Sequence, residues 1–243
     1  MGRTSSRRRL GSSHPIGPPN LGVVPGFVVL FLVVAGAAVL ISWLVERAKR
    51  MRAAAVAVAQ GLQYLPGPTS PPDVPFRLFS VGRSRKVRHT FWRAGDSLEA
   101  TVFLYQYTTG SGKDSQTHVC TCALFRTGLR APHLVLDRQG FIRDLLGKLG
   151  MRDIQLESPQ FNDTWHVSCD DERFAVTVLD PPMMGWLMSA GGAGEIEIEL
   201  LGDRGLATTR RRDVEQMPEL LDHVHQFVAR IPKVVHELYS GYR

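Results

Sequence analysis

Residues Val23 to Val45 carry no charged side chain, and this run of 23 constrains the chain more than any other feature. As a helix it reaches roughly 34 Å, enough to cross a hydrocarbon core of about 30 Å. Fifteen of its residues are Val, Leu, Ile or Phe. Each gains a few tenths of a kcal/mol near the bilayer centre, so insertion is favourable by something on the order of 5 kcal/mol. Pro25 falls in the first turn, where its missing N–H costs nothing. The run is longer than the apolar stretch of a secretory signal, and it ends in Trp43 and Glu46 rather than in small residues. The expectation is a single-pass cell-membrane protein anchored in lipid by residues 23–45.

Arg3, Arg7, Arg8 and Arg9 precede the run, and Arg47, Lys49, Arg50 and Arg52 follow it, so counting basic residues leaves orientation tied. Cysteine breaks the tie. Cys120, Cys122 and Cys169 are odd in number, and two lie two positions apart, which suits a reducing compartment better than a disulfide framework. The C-terminal domain is therefore expected in the cytoplasm.

The net charge of +6 and sequence pI near 9.5 raise the question of nucleic acid. The tail contributes +4 and residues 46–52 contribute +3, which leaves the other 191 residues at −1. The excess flanks the membrane, where anionic headgroups favour it. No nucleic-acid role is expected.

Composition divides the chain into a disordered basic tail (1–22), the membrane helix (23–45), a juxtamembrane helix (46–63), a spacer (64–75) and a globular domain (76–243). Ala53, Ala54, Ala55 and Ala57 favour the juxtamembrane helix, and Gly61 is a plausible stop. The spacer holds five prolines and should be stiff. The remaining 168 residues suffice for one core.

Within the domain, strands are expected at 76–81, 85–92, 97–107, 116–126, 133–136, 153–157 and 164–169. Helices are expected at 138–149 and 172–179, with Pro181-Pro182 interrupting before residues 183–188 resume. Residues 195–201 alternate Glu with Ile or Leu. They read as one arm of a hairpin that turns at Gly202-Asp203-Arg204-Gly205 and returns over 206–212. That register sets Glu197 opposite Arg210 and Glu195 opposite Arg212 on a solvated face. A last helix over 214–231 carries an apolar stripe at spacings of three and four, from Val214 to Ile231. Together these give an α+β domain with a mainly antiparallel sheet packed with helices.

Candidate chemistry dissolves on inspection. His118, Cys120 and Cys122 share one strand face, but neighbours two apart are about 6.5–7 Å from each other, too far to converge on one ion. Thr108 to Asp114 lacks the first glycine and the hydroxyl residue of a phosphate loop. Asp170-Asp171-Glu172 opens a helix, where carboxylates cap N–H groups, and that structural role accounts for them; a catalytic pair would need an acid or base partner, for which His166 is a candidate. His223 and His225 point to different helix faces. Residues 189–194 are a glycine-rich connection with no strand before them and no helix after, so they are not a dinucleotide fingerprint. No residue is assigned as catalytic, cofactor-binding or metal-ligating, and no cofactor is implied. The leading reading is a domain that binds a protein partner at the membrane surface. The alternative is a small-molecule or lipid site lined by Phe103, Tyr105, Tyr107 and Met183–Met188, and a tethered enzyme ranks last.

Several landmarks recur together: Gly61-Leu62, Pro75-Phe76, Leu78-Phe79, Gly82, Phe161, Val167, Asp171, Phe174-Ala175, Leu179, Pro181, Met183-Met184, Trp186-Leu187 and Ile231-Pro232. The set resembles a family of uncharacterised bacterial membrane-anchored proteins with one transmembrane helix before a globular domain. The resemblance implies that architecture and no activity.

Overall fold

A computed structural model describes residues 26–138, 152–189 and 196–240. The basic tail, the first residues of the apolar run and the helix expected at 138–149 lie outside them, as does most of the 189–194 connection. The chain divides into two compact units between Val45 and Glu46.

The first unit holds the start of helix α1 (Gly26–Ala59), whose side chains are exposed rather than buried: Leu30, Phe31 and Ile41 are each 60% exposed or more. None of the described residues covers this surface, and its length and composition suit a membrane span. The second unit begins at Glu46, thirty residues earlier than the composition suggests. Ala53, Ala57 and Leu62 are buried in its core, so the end of α1 packs on the domain through small side chains. The helix stops at Gly61, which takes the left-handed conformation (φ 65°) while the Leu62 N–H returns to the Ala57 carbonyl.

Among the described residues seven strands form one antiparallel sheet. They are β1 (Gln63–Leu65), β2 (Arg83–Trp92), β3 (Thr101–Thr109), β4 (Gln116–Asp137), β5 (Arg152–Ile154), β6 (His166–Cys169) and β7 (Ile196–Thr209). The order is β1-β2-β3-β4-β6-β5, with β7 on β4 as well. The spine is β4, a single 22-residue strand where two were expected. Its first half pairs with β3, its last residues with β6, and most of its length with β7. The ladder with β7 shifts register between Arg126 and Leu134, where Gly128 has φ 69° and Gly202 has φ 61°. The irregularity bends the pair without ending it. The expected hairpin therefore does not form: residues 202–205 continue β7, and Thr209 lies opposite Thr121. The strand expected at 76–81 is instead a 3-10 turn, Arg77–Phe79.

One sheet face carries the larger core. Phe91, Val102, Phe125, Leu134, Leu136, Ile198 and Leu200 meet helices α2 (Pro159–Thr164), α3 (Glu172–Val178), α4 (Pro181–Ser189), α5 (Met217–Arg230) and α6 (Lys233–Tyr239). The prolines at 181 and 182 open α4 rather than interrupt it, since a first turn does not need their N–H groups. Pro218 does the same for α5. The opposite face carries Val87, Phe103, Tyr105, Tyr107, Cys120, Cys122 and Leu206, covered by Phe76, Leu78 and Phe79. The proline-rich segment is thus a strap on the sheet rather than a spacer. Thr69 exchanges two backbone hydrogen bonds with Val87, at 2.9 and 3.0 Å, and the Arg85 guanidinium donates to the Phe79 carbonyl. The fold class is α+β, an N-terminal apolar helix followed by a mainly antiparallel sheet packed with helices.

Candidate functional site

Strand period decides which residues reach the strap. Leu134, Leu136, Ile198 and Leu200 point to the helices, so His133, Val135, Glu197, Glu199 and Leu201 point the other way. The strap lies over Glu199 and Leu201 on that side, and Glu197 and Glu199 are 3% and 1% exposed. The alternation of Glu with Ile and Leu is therefore not a solvated face. Both faces of β7 are covered.

His133 Nε2 and Glu199 Oε1 lie 2.7 Å apart, with side chains 18% and 2% exposed. A carboxylate so deep needs a charge-assisted partner, and the imidazole N–H supplies one. The pair sits in a cavity of about 590 Å³ between β4, β7 and the strap. Asp73, Val74, Phe76, Arg77 and Arg85 complete most of its wall. The wall mixes both charge signs, Asp73 and Glu199 with Arg77 and Arg85, with apolar Val74, Phe76 and Leu201. Such a site can hold a hydroxyl or ammonium group on the carboxylate and the rest of a small molecule on the strap.

Ser80 lines the same cavity, which puts a serine, a histidine and a glutamate together. The nucleophile–base link is missing. Ser80 Oγ donates to the Arg77 carbonyl at 2.8 Å, and the hydrogen bond of His133 runs to Glu199. The arrangement favours binding over acyl transfer.

A second buried polar cluster locks the start of this unit. His89 is 2% exposed and takes φ 50°, rare for a residue with a Cβ. Its Nδ1 meets the Tyr64 hydroxyl at 2.7 Å, and its Nε2 lies 3.7 Å from Glu46 Oε1. Burial pushes the His89 pKa down against the opposing pull of Glu46, and pushes Tyr64 up to about 12. A neutral imidazole accepting the phenol proton accounts for this geometry.

The residues singled out from sequence fall as follows. Cys120 and Cys122 are buried with their sulfurs 3.8 Å apart, closer than their backbones, and burial raises the Cys122 thiol pKa. His118 does not join them; it stacks on Tyr107 at 4.8 Å and bonds Thr109 Oγ1 at 2.8 Å. Residues 110–115 form the β3–β4 hairpin loop. Asp171 caps α3, accepting from the Arg173 and Phe174 N–H groups, and its other oxygen accepts from the Tyr239 hydroxyl. His166 is exposed on β6. His223 lies 4.8 Å from Trp186 while His225 reaches Asp96 at 3.0 Å, on different sides of α5. The pocket imagined from Phe103, Tyr105, Tyr107 and Met183–Met188 is not one place. The aromatics lie under the strap and Met183 lies in the core on the other side of the sheet. The His133–Glu199 pair escaped sequence reading because Glu199 was assigned to solvent. The one available signal was a carboxylate every second residue on a strand whose other face is fully apolar.

No protein-family model matches the chain, and no curated protein matches it. Among solved structures the chain is similar to the crystal structure of the mycobacterial trehalose monomycolate transport factor A, TtfA. The identity is 15% and the TM-score 0.45, over 76% of this chain and 92% of that one. A likeness of that size carries no functional argument.

Proposed function

We propose that this chain is a single-pass cell-membrane protein whose cytoplasmic domain is a binding module, not an enzyme. In this reading its cavity between strap and sheet receives a hydroxyl- or amine-bearing small molecule. The observation that carries the reading is the His133–Glu199 pair, a buried carboxylate at the wall of a 590 Å³ cavity. The exposed apolar surface of α1 supports the anchor. Three buried free cysteines support a reducing compartment for the domain. The landmark residues support membership of the uncharacterised membrane-anchored family.

A protein partner remains the second reading. Val176 on α3 and Val234 and Leu238 on α6 are 44–51% exposed on helices that pack together. Exposed apolar side chains on such a helix pair suit protein contact.

The test is native mass spectrometry of the full chain released from maltoside micelles, followed by a thermal-shift screen of small polyols and amines. A retained small molecule, or a stabilising probe whose effect Glu199→Gln removes, supports the cavity reading. No retained mass, together with no stabilising probe, contradicts it.

A further inference from the structure

We propose that Cys120, Cys122 and Thr208 form a second site, which binds one soft, thiol-seeking monovalent cation of the Cu(I) class. On an ideal strand, residues two apart lie about 6.5–7 Å from each other, too far to share an ion. The structure closes that gap for the two cysteines, whose sulfurs stand 3.8 Å apart. At about 2.3 Å per metal–sulfur bond, two sulfurs on one ion are roughly 3.8 Å apart at a tetrahedral angle and roughly 4.6 Å apart in line. The pair is already at chelating distance, and a small rotation of either side chain covers the rest of that range.

The surroundings select the kind of ion. Cys122 lies opposite Phe103 on β3 and Thr208 on β7, and Cys120 lies opposite Tyr105. Both cysteines belong to the apolar cluster on the strap side. Among the described residues no group of three His, Cys, Asp or Glu is placed to hold a metal ion. Zn(II) wants four ligands and the hard cations want oxygen, so this pocket serves both poorly. Cu(I) is soft and is content with two thiolates. Cys169 cannot join, because it sits in the core on the other side of the sheet.

Thr208 supplies an independent observation. It is fully buried, and its Oγ1 has no hydrogen-bond partner among the described residues. Residues directly opposite on one sheet face hold their Cβ atoms about 4.5–5.5 Å apart, so this hydroxyl stands beside Cys122. An orphaned hydroxyl weakens the fold, but next to a thiolate it becomes a charge-assisted donor. Binding replaces the two S–H protons by the cation; the protons leave to solvent, no electron changes hands, and the bis-thiolate complex carries one net negative charge for Thr208 to stabilise. Cys120 also lines a cavity of about 530 Å³ with Val81, Tyr107 and Val119, which brings an ion to the edge of the pair.

The test is competition for Cu(I) between the full chain in maltoside micelles and the chelator bicinchoninate, under argon with ascorbate. We expect one equivalent bound per chain. Cys120→Ala or Cys122→Ala should each weaken it by more than about a hundredfold, beyond what the loss of an outer partner costs. Thr208→Val keeps the volume of the buried side chain, so it reads the site even where a cysteine variant unfolds. It should weaken binding about tenfold, while the thermal midpoint of the metal-free chain holds or rises because an unpaired hydroxyl is gone. Cys169→Ala and Glu199→Gln should bind as wild type, so a failure of the His133–Glu199 cavity leaves this site standing. No Cu(I) held against the chelator overturns the site. So does a Cys169→Ala loss equal to that of Cys122→Ala, or wild-type affinity in Thr208→Val, or Zn(II) held in preference to Cu(I).

Discussion

Replacing Gly205 by alanine distinguishes a continuous β7 from a hairpin more sharply than any other single change. Gly205 is the register partner of Phe125, whose ring lies over it. A Cβ built there meets Phe125 Cζ at 2.3 Å and Cε2 at 2.4 Å, against an ordinary contact of 3.4 Å or more. The ring must retreat by about 1 Å, yet Phe125 is 0% exposed in the larger core. Overpacking of this kind costs about 1–3 kcal/mol. Alanine returns about 0.5–1 kcal/mol through the lower entropy of its unfolded chain. An overlap at 2.3 Å with a fully buried ring belongs to the upper half of the overpacking range, about 2–3 kcal/mol, so the net loss is about 1–2.5 kcal/mol, a fall in thermal midpoint of roughly 2–10 °C for a domain this size. Thermal unfolding of the full chain in maltoside micelles reads it directly. Phe125→Leu in the same background should recover part of the loss, as expected for two groups in contact. In a Gly202–Gly205 turn the alanine would meet no ring. A midpoint unchanged within about 1 °C would refute the continuous strand.

Burial, then the nearby Arg230 charge, lowers the His223 pKa from 6.5 to about 4. The unfolded chain thus binds this proton first, and the stability His223 contributes is present above pH 6.5 and lost as pH falls towards 4. The shift corresponds to about 3 kcal/mol at most, less after solvent screening of a partly exposed ring. His223→Gln should flatten the fall in thermal midpoint between pH 7 and 4.5, and an unchanged pH slope contradicts the assignment. Asp171→Ala removes the cap of α3 and the Tyr239 partner together, so it should cost about 1–2 kcal/mol. Asp171→Asn should keep most of that stability, and equal loss from both variants would point to charge rather than capping.

Local signals made some of this fold legible. The apolar run, the cap at Asp171, the stop at Gly61 and the stripe on α5 each depend on residues within a turn or two of one another. What the sequence hid depends on distant partners. Gly202 to Gly205 has turn composition, but ten residues of a neighbouring strand pair along β7 and keep it extended, and Phe125 fills the space a side chain would take. Alternation along 195–201 shows that two faces differ, not that the second is exposed. A strap more than a hundred residues earlier buries Glu199 and creates the cavity. The five prolines misled for the same reason, since a stiff segment can lie on a sheet as readily as stand away from it.

The anchor is the claim on which the rest depends, and alkaline carbonate extraction of membranes from cells making the full chain tests it most directly. A helix crossing the lipid keeps the chain in the pellet until detergent is added. Release into the supernatant at alkaline pH without detergent would contradict a spanning helix.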